Sequence, residues 1–430
     1  MKKAIIIGSG AGGAALARDL ADKFEVTILE TGGAFKPFSY PLTLPEAVKK
    51  TGLLFDEREI QLLFPAMRIR KTADKMTLVN GRGIGGTTTL SAGNALRMDG
   101  PLKKIGINLD AEFAELYRDI PVSTAHQKRW KQSTKQLYTI CEEMGLHPQP
   151  TTKMGDYEKC VHCGRCVLGC PQGVKWDSRK FLDNAVSHGA KLITGCRVTQ
   201  IIIENGRAVG VQAKQGSSTV TYNADLVLVA AGGFGTPAIL NNSGFNCENR
   251  LFVDPVLCVA AAWPNALQNK EISMPFLVQQ EHYILSPYFD YLSYFFNRHW
   301  NIPARDIVSM MIKLADTPTG HVEGDKIRKA LTDTDKERLQ QGVQTCTEIL
   351  LRLGVDKEKI FLGTINAGHP GGMLPLTINS AATFHPDILP ENVYVADASL
   401  FPESLGNPPI FTIMAMAKRV GKLVVEKFTG

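Results

Sequence analysis

An apolar, β-branched run, Lys3-Ala4-Ile5-Ile6-Ile7, leads directly into Gly8-Ser9-Gly10-Ala11-Gly12-Gly13 and then into a helical stretch, Ala14 to Ala21. The order strand, glycine turn, helix restricts the chain more than any other feature, because it opens a parallel α/β sheet with a nucleotide at its edge. Gly8 permits the tight turn, Gly10 lets the backbone approach a pyrophosphate, and Gly13 lets the helix pack close to the strand. The phosphates then lie at the positive end of the helix. A second strand, Phe24 to Leu29, ends at Glu30, where a carboxylate can accept hydrogen bonds from a ribose 2′-OH. These residues predict dinucleotide binding without separating NAD from FAD.

At 430 residues the chain suits two domains, one interrupted in sequence by the other. No apolar run is long enough to span a bilayer. The N-terminal apolar stretch is too short for a signal peptide and runs into glycines, which predicts a buried first strand in a cytoplasmic protein. The net charge of +6 is mild for this length, and the basic runs Arg68 to Lys75 and Lys128 to Lys135 read as solvated faces rather than a nucleic acid site. Of nine cysteines, four crowd into one short segment, which argues for a metal or cluster site rather than a secreted disulfide framework.

Two further glycine segments separate the cofactors. Gly81-Arg82-Gly83-Ile84-Gly85-Gly86-Thr87-Thr88-Thr89-Leu90 resembles the first motif of the glucose-methanol-choline (GMC) oxidoreductases, a loop that lies along the flavin and its pyrophosphate. Ser91 stands where that family has Asn or His, which leaves Asn94 as the candidate for the contact near the flavin. Gly232-Gly233-Phe234-Gly235-Thr236-Pro237-Ala238-Ile239-Leu240, closing on Ser243-Gly244, resembles the second motif and follows a buried strand, Asp225 to Ala230. His369-Pro370-Gly371-Gly372 is similar to the family's HPxG element, and residues 392–402 to its C-terminal strand and turn. Gly406-Asn407-Pro408-Pro409 and an apolar helix, Ile410 to Ala417, follow. The separation of His369 from Asn407 is like that in the cholesterol oxidase branch.

The resemblance implies FAD, held by Gly8, Gly10, Gly13, Glu30, Arg82, Gly85, Gly86, Thr87, Asn94, Val198, Gly232, Asp397, Asn407 and Pro408. It also implies hydride transfer from an alcohol carbon to flavin N5. The hydroxyl proton must leave as the hydride does, or the product would be a protonated carbonyl. A histidine supplies a base near neutral pH and an asparagine amide can hold the oxygen. His369 is therefore the candidate for the proton and Asn407 for orienting the hydroxyl. Taken alone, each residue reads otherwise: a satisfied core histidine and a helix N-cap.

The cysteine run, Cys160-Val161-His162-Cys163-Gly164-Arg165-Cys166-Val167-Leu168-Gly169-Cys170-Pro171, has the C-x2-C-x2-C-x3-C-P spacing of bacterial ferredoxins. It is similar to the insert of GMC dehydrogenases that pair FAD with an iron-sulfur cluster. The expectation is a 4Fe-4S or 3Fe-4S centre on Cys160, Cys163, Cys166 and Cys170, with Cys196 as an alternative fourth ligand. Zinc and a metal-free loop are the rivals.

The expected fold is α/β, α+β overall. A Rossmann-like FAD/NAD(P)-binding domain, discontinuous over 1–100, 185–255 and 385–430, is joined to a GMC-type antiparallel-sheet substrate domain over 101–150 and 256–384. Residues 151–184 form the cysteine insert. Ile307 to Leu314 reads as a strand, and Met274 to Leu277 with Tyr283 to Phe296 as an apolar lining. The expected function is FAD-dependent oxidation of a small, apolar alcohol, with electrons leaving through the cluster to an acceptor protein, partner subunit or quinone. An oxygen-using oxidase with structural cysteines, an electron-transfer subunit and a carbonyl reductase are the alternatives.

Overall fold

The computed structural model describes residues 1–39, 43–50, 60, 64–72 and 76–429. The end of the basic run, 73–75, lies outside the described residues. The opening motif forms as its residues dictate: β1 (Lys3–Ile7), α1 (Ala11–Leu20) and β2 (Glu25–Leu29). These strands belong to a five-stranded parallel sheet in the order Val393–Val395, Leu226–Val229, β1, β2, Lys191–Ile193. Ala4 to Ile7 and Leu226–Val229 are buried throughout, as strands covered on both faces must be. The cover includes α1, Arg179–Ser187 and the C-terminal helix Ile410–Thr429, all sharing one apolar core with the sheet. The approach is close: a Cβ on Gly12 would sit 1.7 Å from Ala396 O.

The second sheet has nine strands. Its path runs Met67–Lys71, Thr77–Gly81, Asn366–Ala367, Pro255–Ala262, Ile307–Leu314, Tyr283–Pro287, Phe276–Gln279 and Gln149–Pro150, with Ile360–Leu362 also paired to Pro255–Ala262. It is antiparallel apart from the pairing of Asn366–Ala367 with Thr77–Gly81. Asp333–Arg352 packs on one face, started by a capping box between Thr332 and Asp335. His321–Glu323 and Lys326–Arg328 make a small hairpin.

The segment 101–150, expected to be wholly part of the substrate domain, divides between the two cores. Leu102, Ile107, Phe113 and Leu116 join the core of the parallel sheet, where the Phe113 ring lies 5.7 Å from Phe411. Trp130, Leu137 and Ile140 join the core of the nine-stranded sheet. Both parts are amphipathic, and an apolar stripe does not state which core it faces.

Candidate active site

The first cavity, of about 280 Å³, opens at the edge of the parallel sheet. Gly8, Gly10, Glu30, Arg82, Gly86, Thr87, Val198, Gly232 and Asp397 line it, so nine of the proposed FAD residues meet in one place. Gly8 has φ +98°, and a Cβ there would collide with Ala230 O at 2.4 Å. A Cβ on Gly10 would meet no protein atom within 4 Å, because its Cα faces the cavity. This is the surface a pyrophosphate needs. Gly13 and Gly85 stand behind the wall. A Cβ on Gly13 would sit 2.0 Å from Gly8 O, the close helix–strand packing expected of that position. Gly85, at φ +93°, donates its N–H to Ser9 Oγ at 3.3 Å and so ties the inner glycine turn to the first.

Glu30 is buried and already bonded to the turn. Its Oε2 accepts from Ser9 N at 3.1 Å and Ser9 Oγ at 2.7 Å, and its Oε1 from Gly32 N at 2.8 Å. Asp397 does the same for the second motif, accepting from Gly232 N at 2.9 Å and Thr236 Oγ1 at 2.5 Å, with its carboxyl pushed up by burial. Arg68, Arg70 and Arg197 also line the cavity, although no glycine motif marks them. Arg70 is pushed down to about 10 by burial and by its neighbour Arg68.

The second cavity, of about 180 Å³, has a largely apolar wall that includes Phe38, Met67, Leu90, Val256 and Met311. The aromatic segment expected to line it contributes Tyr288, Tyr291 and Phe295, and Met274 is there too. His369, Gly368 and Thr87 line both cavities, so the imidazole stands where the two meet.

His369 Nδ1 lies 3.6 Å from Asp254 Oδ2, and burial, with Lys313 nearby, pushes it down to about 4. It is therefore neutral at pH 7. Asp254 is fully buried at φ +51°. Its Oδ1 accepts from Ser404 Oγ at 2.5 Å and Gly406 N at 3.3 Å, and its Oδ2 is 3.1 Å from Lys313 Nζ. Burial alone would raise the Asp254 carboxyl, but Lys313 and His369 hold it below the usual carboxylate range. Neither Asp254 nor Lys313 belongs to a motif. The signal that could have found Lys313 is a single charge in an apolar strand.

Asn407 does not join this group. It lines neither cavity, is buried, and donates Nδ2 to Gln279 Oε1 at 3.2 Å and Leu405 O at 3.3 Å. The next residue, Pro408, does reach the second cavity. Asn94 reaches it as well, with its Oδ1 accepting from Lys153 Nζ and its Nδ2 3.1 Å from Met274 Sδ.

Cys160, Cys163, Cys166 and Cys170 all line a third, small cavity, together with Tyr157, His162 and Lys175. Gly164 at φ +71° and Gly169 at φ +91° bend the loop around it. Burial pushes Cys160 up to about 11. Among the described residues no three His, Cys, Asp or Glu side chains converge as a metal ion requires. Cys196, the alternative fourth ligand, lies in the strand Cys196–Glu204 and does not line this cavity.

Two buried lysines border the cysteine loop. Lys175 Nζ donates to Cys166 O at 3.1 Å and to Thr88, Thr89 and Ser91 O at 3.2, 2.8 and 2.9 Å, which bolts the loop to the glycine turn. Lys153 Nζ donates to Ser273 O at 2.6 Å and Ala92 O at 3.3 Å. Among the described residues neither lysine has a carboxylate partner in an ion pair, although Lys153 is 0% and Lys175 3% exposed. Val167 and Leu168 of the same loop form part of the second cavity's wall.

A glycine-lined nucleotide cavity meeting an apolar pocket at a half-buried, neutral histidine suits a flavoprotein oxidoreductase. The GMC oxidoreductase family model matches residues 3–257, more than half of the chain, and the chain belongs to that family, as an FAD-dependent enzyme. It is similar to the uncharacterized protein MJ1450 of Methanocaldococcus jannaschii, 25% identical over 423 residues that cover 96% of this chain and 97% of that one. It is 23% identical to the long-chain-alcohol oxidase FAO1 of Arabidopsis thaliana, covering 98% of this chain and 66% of that one. Among solved structures, pyridoxine 4-oxidase from Mesorbium loti has the same fold, with a TM-score of 0.72 at 15% identity over 98% of this chain and 99% of that one. Among the described residues no helix is long and apolar enough to cross a membrane.

Proposed function

We propose that this chain oxidises the CH–OH group of a small apolar alcohol to a carbonyl, and that its electrons leave one at a time through an iron-sulfur cluster on the cysteine loop to a protein or quinone acceptor. The observation that carries the alcohol chemistry is that His369 lines both the nucleotide cavity and the apolar pocket. FAD supplies the acceptor for the carbinol hydride. Gly8, Gly10 and Gly86 make room for it, Glu30 orders the turn beside its ribose, and Thr87 borders both compartments. His369, neutral at pH 7, takes the hydroxyl proton, and Asp254 stabilises the imidazolium that results. The apolar wall excludes water and favours a hydrocarbon chain, which agrees with the name of the long-chain-alcohol oxidase relative.

Three features support the cluster. Four thiols line one cavity, and a cubane holds its thiolates farther apart than a single ion does. Two buried lysines without carboxylate partners stand beside them, pushed down by burial to about 7 for Lys153 and about 8 for Lys175, and a neighbouring anion would favour their charged form. The Tyr157 hydroxyl and His162 Nε2 are buried with no hydrogen-bond partner and border the cavity, where sulfur can accept, while His162 Nδ1 lies 3.3 Å from Glu271 Oε1. The nine cysteines, all free, support a reducing, cytoplasmic setting. A second reading, an oxygen-using oxidase with structural cysteines, is favoured by the names of the relatives that are oxidases.

Anaerobic purification followed by a visible spectrum, iron and sulfide analysis and EPR separates the two. Protein with FAD but neither iron nor sulfide rejects the cluster. His369→Ala should slow anaerobic flavin reduction by alcohols about 100-fold while FAD is retained. An unchanged rate removes His369 from the chemistry.

A further inference from the structure

Lys313 is the one charged residue in Ile307–Leu314, a strand buried along its whole length. An ammonium in such a place is costly unless paired, and a purely structural position could be filled more cheaply by an apolar side chain. Its Nζ lies 3.1 Å from Asp254 O and 3.1 Å from Asp254 Oδ2. An ammonium has three N–H donors, and among the described residues these two acceptors belong to the same aspartate. Lys313 also lines the apolar cavity beside His369. Asn407, the group expected to hold the substrate oxygen, lies outside that cavity with its amide on Gln279.

We propose that Lys313 holds the substrate oxygen as its charge develops, and that the Lys313–Asp254 pair restricts the site to uncharged alcohols. The proposal rests on the CH–OH chemistry above. As the O–H bond breaks, its proton passes to the ring nitrogen of His369 that faces away from Asp254. The C–H bond breaks with its electron pair, the hydride goes to FAD, and the C=O bond forms. Lys313 transfers no proton. Its free N–H donates to an oxygen that carries more negative charge in the transition state than in the alcohol, which is the condition for catalysis rather than mere binding. Asp254 touches both partners, balancing the Lys313 charge and lying 3.6 Å from the imidazole that becomes positive.

The same pair sets the charge the substrate can carry. Lys313 and Asp254 cancel, and His369 is neutral. The other carboxyl on the wall, Asp290, accepts from Ser293 Oγ at 2.5 Å, Leu292 N at 3.0 Å and Asn366 Nδ2 at 3.3 Å, while burial pushes it up. The cavity therefore offers a carboxylate no unpaired cation, and a quaternary ammonium only a carboxyl already engaged by three donors.

The test is anaerobic stopped-flow reduction of bound FAD by 1-alkanols, normalised to flavin content, across pH and in D2O. Lys313→Ala should be slowed about 100-fold or more. Its alkaline requirement should shift to higher pH, its solvent isotope effect should grow, and added methylammonium should restore part of the rate. Lys313→Met/Asp254→Asn leaves no unpaired buried charge, so it tests the role even if the single variant folds poorly, and it should be as slow. A wild-type rate and pH profile in either variant, or reduction of the wild type by hydroxycarboxylates or choline as fast as by alkanols, overturns the proposal. Wild-type flavin that no alcohol reduces overturns the alcohol chemistry instead.

Discussion

Replacing Glu30 by Gln tests how the first glycine turn holds the cofactor. The carboxylate accepts three hydrogen bonds from the protein, two from Ser9 on Oε2 and one from Gly32 N on Oε1. An amide offers one accepting oxygen. If that oxygen keeps the Ser9 bonds, the NH2 group faces the Gly32 N–H, and a buried donor is left unpaired. Orphaning it costs about 1–3 kcal/mol, and the two retained bonds lose the charge that strengthened them. A total near 3 kcal/mol corresponds to about a 100-fold rise in the FAD dissociation constant. Flavin fluorescence titration of deflavinated protein measures it, with Ser9→Ala as a milder companion. Retention within threefold of wild type would refute the claim that this carboxylate organises the turn.

Three further outcomes follow from the structure. A Cβ on Gly233 would sit 2.1 Å from Pro370 O, next to His369, so Gly233→Ala should displace the imidazole and slow flavin reduction up to about 100-fold, whereas Gly10→Ala should leave the deflavinated protein's melting unchanged and weaken only FAD binding. His126 is fully buried, its Nδ1 accepting from Trp130 Nε1 at 2.9 Å and its Nε2 2.8 Å from Thr151 O, and burial, with Lys153, pushes it down to about 4. The unfolded chain therefore binds a proton that the folded chain refuses. Stability is complete above about pH 6.5 and falls by up to roughly 3 kcal/mol as the pH drops towards 4. Denaturant titrations across that window should show a shallower fall in His126→Gln, and an identical slope would assign the acid sensitivity elsewhere.

The nucleotide half of the molecule was legible because its requirements are local. A tight turn, a close backbone approach and a helix N-terminus are each written in adjacent residues, so β1, α1, Glu30 and the glycines could be placed without tertiary information. Ile307–Leu314 was legible as well, since an apolar run of that length suits a buried strand. What joins Lys313 to Asp254 was not. It depends on the antiparallel register that sets Val256 opposite Lys313. The surroundings of Asn407 were hidden for a related reason: its amide donates to Gln279, a residue of the other sheet 128 positions away. The cysteine spacing indicated a shared cavity but not the two lysines that border the loop, Lys153 from the short strand Lys153–Met154 and Lys175 from the connection after the cysteines.

The hairpin of His321–Glu323 and Lys326–Arg328 completes the nucleotide cavity from outside the glycine motifs. Val322, Gly324, Asp325 and Ile327 form part of the nucleotide cavity's wall. Asp325 reaches Arg197 at 3.1 Å and Arg68 at 3.9 Å, exposed contacts that fasten it only weakly. Val322 and Ile327 are buried among Phe234, Leu251 and Met373, so an apolar anchor, rather than the ion pairs, holds this wall in place. A substitution that shrinks either side chain would therefore loosen one wall of the nucleotide cavity without touching any glycine motif.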